Sequence, residues 1–184
     1  MRVISGKARS IPLKSCDDDS MRPTTDIIKE TLFNILQFNL TDISFLDLFA
    51  GCGGIGIEAL SRGAAFAYFV DSSHSACEVI NQNLEKTKLI DNAKTLCIDV
   101  RRIDESTDVC KYKYDIVFID PPYESNLYET ALKLIKNYNL LKENGIVILE
   151  MPIKKDTDFI EKLNYNIYRT KEYKSNKHIF CRNN

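Results

Sequence analysis

Short apolar runs and segments with helical spacing alternate through the middle of this chain, and that alternation leaves few folds open. Phe45–Phe49, Ala67–Val70, Lys94–Ile98, Tyr114–Ile119 and Ile146–Glu150 read as strands, while Gly54–Arg62, Ser73–Lys86 and Tyr128–Asn137 read as the helices between them. Strands that are apolar throughout, rather than apolar at every second position, belong to a sheet covered on both faces. The expected architecture is α/β, with a mostly parallel, doubly wound Rossmann-like sheet. Beyond Pro152 a short helix around Asp158–Leu163 precedes two β-rich runs, Asn166–Tyr173 and His178–Arg182, which predict an antiparallel C-terminal edge.

The other end differs. Val3-Ile4 and Ile11-Leu13 flank a turn near Gly6-Lys7 and predict a small N-terminal β-hairpin. The run from Cys16 to Ser20 is a polar loop. Thr24-Thr25 then cap a helix on which Ile28, Leu32, Ile35 and Leu36 recur at helical spacing. With 184 residues, 44% of them hydrophobic, and no linker-like stretch, a single domain is expected over 1–184, with the hairpin and loop at 1–20 and the core at 21–184.

Composition excludes several classes. No apolar run reaches the roughly 18 residues that span a bilayer, and MRVISGKARS has charges where a signal peptide needs an apolar stretch. A cytoplasmic protein is expected. Six cysteines form no CxxC pair and there are only two histidines, so no metal site is expected. In a reducing compartment most of these thiols should behave as small apolar residues. Net charge is −1, but residues 1–14 carry four basic side chains and no acid, and residues 151–184 carry eight basic against four acidic. A polyanion would be met by the two ends.

The first strand-to-helix junction reads FLDLFAGCGGIGIEAL, in which Gly51, Gly53 and Gly56 satisfy GxGxxG. Asp71 ends the next strand, 20 residues after Gly51, where a carboxylate can accept both ribose hydroxyls of an adenosine cofactor. A dinucleotide and S-adenosylmethionine compete for this geometry. Asp47, four residues before the first glycine, would repel a pyrophosphate but suits an ammonium group, which favours the methyl donor. Asp99 ends the third strand and either accepts the adenine amino hydrogen or caps the segment after it.

The strand Tyr114–Ile119 runs into Asp120-Pro121-Pro122-Tyr123. Open α/β sheets bind ligands at the carboxyl ends of their strands, and two prolines make such a corner rigid. The amine of a nucleobase is a poor nucleophile because its lone pair is delocalised. Asp120 and the Pro121 carbonyl can accept its two N–H bonds, turn the lone pair outward and stabilise the positive charge that develops. Tyr123 offers a ring for stacking on an extruded base. This chemistry needs no covalent intermediate and no catalytic cysteine.

At this point the chain resembles the RsmD-like 16S rRNA guanine-N2 methyltransferases. The resemblance runs through MRVISGKAR, MRPTTDIIKETLFNIL, LDLFAGCGGIGIEALSRGA and DIVFIDPPY, nearly the whole length. It implies a class I methyltransferase fold, S-adenosylmethionine as cofactor, and one guanine of 16S rRNA as substrate, in the small ribosomal subunit or an assembly intermediate. It also implies that Asp47, Phe49, Ala50, Gly51 and Gly53 line the methionine part, Asp71 and Ser72 the ribose, and Asp99 and Val100 the adenine. Asp120, Pro121, Pro122 and Tyr123 form the catalytic box, and Thr24 and Thr25 lie near the cofactor. Arg2, Lys7, Arg9, Arg22, Lys174 and Lys177 are the expected RNA contacts, and a monomer is expected. Lys29 and Ile27 stand where family members often carry arginines. The rival readings are an adenine-N6 methyltransferase, an NAD-dependent oxidoreductase, and a non-catalytic RNA-binding assembly factor.

Overall fold

The structure is a computed structural model that describes residues 1–16, 26–36, 40–122 and 126–184. Five strands, β1 (Ser44–Asp47), β2 (Phe66–Asp71), β3 (Ala93–Cys97), β4 (Tyr114–Ile119) and β5 (Leu141–Pro152), run parallel in the order β3-β2-β1-β4-β5. β7 (Asn176–Asn183) pairs antiparallel with β5, and β6 (Tyr165–Glu172) pairs antiparallel with β7. The final strand in sequence thus lies inside the sheet and β6 forms its edge. That sparing of β7 follows composition: its HIFC run is buried, whereas β6 buries only Tyr165 and is otherwise largely polar and solvent-facing.

Helices α1 (Asp26–Leu36), α2 (Gly54–Ser61) and α3 (His74–Thr87) cover one face, and α4 (Leu127–Asn137) and α5 (Asp158–Lys162) the other. Core side chains divide accordingly. Phe45, Phe69, Ile116, Phe118 and Ile148 meet α1–α3, while Leu46, Val117, Ile119, Val147 and Leu149 meet α4 and α5. The chain reverses its strand order between β1 and β4, so the crevice of a doubly wound sheet opens at their carboxyl ends. Among the described residues no helix is long and apolar enough to cross a membrane, and no group of His, Cys, Asp or Glu could hold a metal ion.

One sequence expectation is extended and one is adjusted. The N-terminal segment forms the expected hairpin around an antiparallel bridge, Arg2 with Pro12, with the Val3 amide donating to the Ile11 carbonyl at 3.0 Å and the Leu13 amide to the Met1 carbonyl at 3.1 Å. It is also fastened to α2. The amides of Ile4 and Ser5 donate to the Glu58 carboxylate at 2.8 and 3.0 Å, and that of Lys7 to the Ser61 carbonyl at 2.8 Å. Gly6 has φ +84° and lies so close to Ser61 that a Cβ would sit 1.8 Å from its carbonyl oxygen. α1 is also rotated from the face read off its isoleucines: it buries Lys29, Leu32, Phe33 and Leu36. Lys29 can point inward because Glu58 waits there, Nζ to carboxylate 3.2 Å, and Arg62 holds the other oxygen at 2.7 Å. Burial pushes the Lys29 ammonium down from its ordinary value, and Glu58 opposes that shift.

Candidate active site at the carboxyl ends of β1 and β4

The glycine loop gets its shape from three local demands. Gly51 and Gly53 adopt φ +54° and +82°, the left-handed region open to glycine. Gly56 lies against the sheet, where a Cβ would come 2.3 Å from the Phe69 ring, so this third glycine serves helix–strand contact. The loop is then braced from the neighbouring strand. The Gly51 amide donates to Asp71 Oδ2 at 2.8 Å, and the Ser73 amide donates to Asp71 Oδ1 at 2.9 Å. Each carboxylate oxygen still has a lone pair free, and Asp71 is partly exposed, so it can brace the loop and accept ribose hydroxyls together.

Asp47 is buried at the end of β1. Its Oδ2 accepts from the Gly56 amide at 3.3 Å, while its Oδ1 has no hydrogen-bond partner among the described residues. Burial pushes its carboxyl up to about 7, assisted by the charge of Asp71. An orphaned buried carboxylate oxygen marks a missing cation or donor. The position is also decisive against a pyrophosphate, because a carboxylate already takes an amide at the positive end of α2. This donor set fits a nucleoside that carries an ammonium group.

Asp120 follows β4 directly. It is partly accessible from the crevice, yet burial raises its carboxyl well above the ordinary value, with the charges of Glu150 and Asp47 adding to the effect. Among the described residues no hydrogen bond contributes to that shift, and none of them closes the carboxylate to a ligand. Pro121 is buried and Pro122 exposed. Tyr123, Arg22, Thr24 and Thr25 lie outside the described residues.

The remaining predicted residues separate into groups. Phe49 and Ala50 lead into the loop, and Ala50 is anchored to β2 by its amide on the Val70 carbonyl at 3.0 Å. Ser72 is exposed beside Asp71, and Val100 is buried below Asp99. Asp99 takes the capping role: its Oδ1 accepts from the Arg101 amide at 2.9 Å and the carboxylate pairs with the Arg101 guanidinium. Those contacts hold its carboxyl down at about 2. Lys7, Arg9 and Lys174 are exposed. Arg2 is exposed but paired with Asp26 at 3.1 Å, and Lys177 donates to the Lys155 carbonyl at 2.8 Å. Lys29 is buried and paired with Glu58.

Sequence reasoning missed a second polar layer. Glu150 of β5 is buried, its Oε2 3.0 Å from His178 Nε2 of β7 and its Oε1 accepting from Asn176 Nδ2 at 2.5 Å. His178 Nδ1 lies 3.1 Å from the Tyr173 hydroxyl. The signal was available: a lone glutamate closes the apolar run IVILE, and a lone histidine sits in HIFC. It also missed Asn83, fully buried, whose amide donates to the carbonyls of Cys52 and Lys14 and ties the glycine loop to the N-terminal segment.

The chain is similar to proteins of one family. The family described as conserved hypothetical protein 95 matches residues 1–182. The Bacillus subtilis protein YlbH is 38% identical over 150 residues, 82% of each chain. Ribosomal RNA small subunit methyltransferase D of Haemophilus influenzae is 33% identical over 177 residues, covering 93% of this chain and 88% of its own. The solved structure of yhhF from Escherichia coli is 28% identical and covers 100% of this chain and 98% of its own, with a TM-score of 0.84. The chain, with its Rossmann-like methyltransferase fold, therefore belongs to the conserved hypothetical protein 95 family, the family of ribosomal RNA small subunit methyltransferase D.

Proposed function

We propose that this protein is an S-adenosylmethionine-dependent rRNA methyltransferase that modifies the 2-amino group of one guanine of 16S rRNA, presented in the small subunit or an assembly intermediate. The observation that carries the reading is the pairing of two acids at one crevice: a buried Asp47 with an orphaned oxygen, and Asp120 on a proline-stiffened corner. Asp47 with Gly51 and Gly53 holds the methionine end, Asp71 with Ser72 the ribose, and the loop carrying Asp99 and Val100 the adenine. S-adenosylmethionine, when bound, supplies a methyl group on a sulfonium. Asp120 and the Pro121 carbonyl accept the two N–H bonds of the guanine amine, and Tyr123 stacks on the base. The corner thus aims the nitrogen lone pair along the line of transfer and balances the positive charge formed on nitrogen. The surplus amine proton leaves through Asp120 to water.

The basic residues support an RNA substrate from the rim. Asn176 pairs with Pro152, so the turn holding Lys174 and the segment holding Lys154 both extend past the carboxyl end of β5, on the same side as Asp120. Phosphate contacts there and at Lys7 and Arg9 should make binding fall with salt. The test is transfer of labelled methyl to small subunits lacking the modification, followed by nucleoside mass analysis. The expected product is 2-methylguanine. The appearance of 6-methyladenine instead would overturn the substrate assignment.

Cofactor binding should depend on pH through Asp47. A cationic ligand needs this carboxyl ionised, and burial holds it up to about 7. Affinity should weaken by up to about tenfold per unit as pH falls from 7 to 5, with a proton released on binding. Stability of the ligand-free protein should move the other way. A carboxyl raised on folding contributes stability at low pH that is lost as pH rises through its folded value. Calorimetry in two buffers of different ionisation enthalpy reads the proton, and pH-independent affinity would exclude Asp47 as the ammonium partner.

A further inference from the structure

The carboxyl ends of β1, β4 and β5 present three acids, Asp47, Asp120 and Glu150, and the third has no place in the mechanism above. The register that pairs Phe118 with Ile148 and Ile119 with Leu149 brings Asp120 beside Glu150 one step further on. Glu150 in turn pairs across β5–β7 with His178, whose ring stands edge-on to Phe118, 6.1 Å between centroids. Both carboxylate oxygens of Glu150 are engaged, by His178 and by Asn176. Tyr173 closes the chain of contacts by bonding the far nitrogen of His178. A side chain engaged at both oxygens is held in place. Burying it needs two partners from β7 and exceeds what a strand pairing requires, since an apolar residue would serve β5 better.

We propose that Glu150, clamped by His178 and Asn176, is a positioning residue of the base-binding corner: held beside Asp120 across the β4–β5 pairing, it acts on that carboxylate and through it on the substrate amine. The inference rests on the reading of Asp120 as the acceptor of the substrate amine. Among the described residues the charged groups that act on Asp120 are Glu150 from β5 and Asp47 from β1. Those that face Glu150 are His178 and Asn176 from β7, with Tyr173 behind His178, and Asp120 from β4. Among the described residues no lysine or arginine forms an ion pair with Asp120 or Glu150. With no such cation among the described residues, Asp120 responds to the acids beside it. The arrangement keeps the corner able to take up the proton that the methylated amine must lose, and a cationic ligand restores its ionised form.

The test uses the full chain, small subunits lacking the modification, and saturating S-adenosylmethionine, so that kcat against pH reports the corner and not Asp47. Glu150→Gln keeps the size of the side chain and removes its charge. Its acidic limb should move to lower pH: where the wild type has lost nine-tenths of its plateau kcat, the variant should retain about half. His178→Gln, which can still donate to Glu150, should keep the wild-type limb. His178→Leu strands a buried carboxylate that then takes up a proton, and its limb should move as in Glu150→Gln. An unmoved limb in folded Glu150→Gln, or limbs that follow melting temperature alone across the three variants, overturns the proposal. Titration of the Asp120 carboxyl by carbon NMR in wild type and Glu150→Gln reads the same coupling without turnover. A shifted titration in a protein that transfers no methyl to guanine would refute the activity and leave the Glu150–Asp120 coupling standing, whereas normal methylation with an unshifted titration would refute the coupling alone.

Discussion

Replacing Asp120 by alanine should lower methyl transfer by about 10²–10³-fold, the usual cost of removing one preorganised group that meets charge developing in a transition state. The rest of the site gives the variant its diagnostic value. Asp71, which would hold the ribose, is fixed by the amides of Gly51 and Ser73, and Asp47, which would hold the ammonium, by that of Gly56, and none of those bonds involves Asp120. Cofactor affinity should therefore stay within about threefold of wild type, measured by calorimetry at pH 8, where both variant and wild type have Asp47 ionised. A loss confined to kcat is the signature of an interaction made at the transition state. Turnover equal to wild type would sink the amine-activating role of the corner. A parallel collapse of cofactor affinity would move Asp120 from base to cofactor.

Glu58→Ala should destabilise the fold by about 3–5 kcal/mol, because it strips four partners at once and leaves a buried ammonium unpaired. The carboxylate holds Lys29 at 3.2 Å, Arg62 at 2.7 Å, and the amides of Ile4 and Ser5 at 2.8 and 3.0 Å, with both Lys29 and Glu58 fully buried. For a chain of this size the loss corresponds to a fall in melting temperature of about 10 °C. The mechanism is checked by a double-mutant cycle. Lys29→Met should also destabilise, and adding it to Glu58→Ala should cost much less than the sum, since the orphaned charge is then gone. Strict additivity would mean that the two side chains are not coupled. Amide exchange should show residues 4–7 opening before the sheet, because Glu58 and Ser61 are what fasten that segment to α2.

Most of the sheet could be read from the chain because its information is local. A continuous apolar run such as Tyr114–Ile119 needs only its own residues to declare a two-sided strand, and that strand has those bounds in the structure. The same holds for the helix after the glycine loop, expected to end at Arg62 and ending at Ser61. The errors arise where two distant segments share one task. The hairpin pairs with itself as expected, but the amides of Ile4 and Ser5 are satisfied by Glu58, more than fifty residues away, which nothing in the hairpin's own residues announces. β5 was expected to begin at Ile146 and begins at Leu141, with a register shift against β4 between Tyr114 and Ile116. Its polar start, LKEN, carries no apolar signal, and pairing alone recruits it to the strand.

The sequence by itself determined that βα units wind a parallel sheet, that a glycine loop follows the first strand with an acid at the end of the second, and that an acid-proline corner ends the fourth. Each is written in a contiguous stretch whose backbone demands are met within a few residues. Only the tertiary structure decided which charges go inside: Lys29 with Glu58, Glu150 with His178, and Asp47 with one oxygen left open. A charged side chain can be buried only when a partner from elsewhere in the chain arrives to meet it, and no local pattern records that arrival.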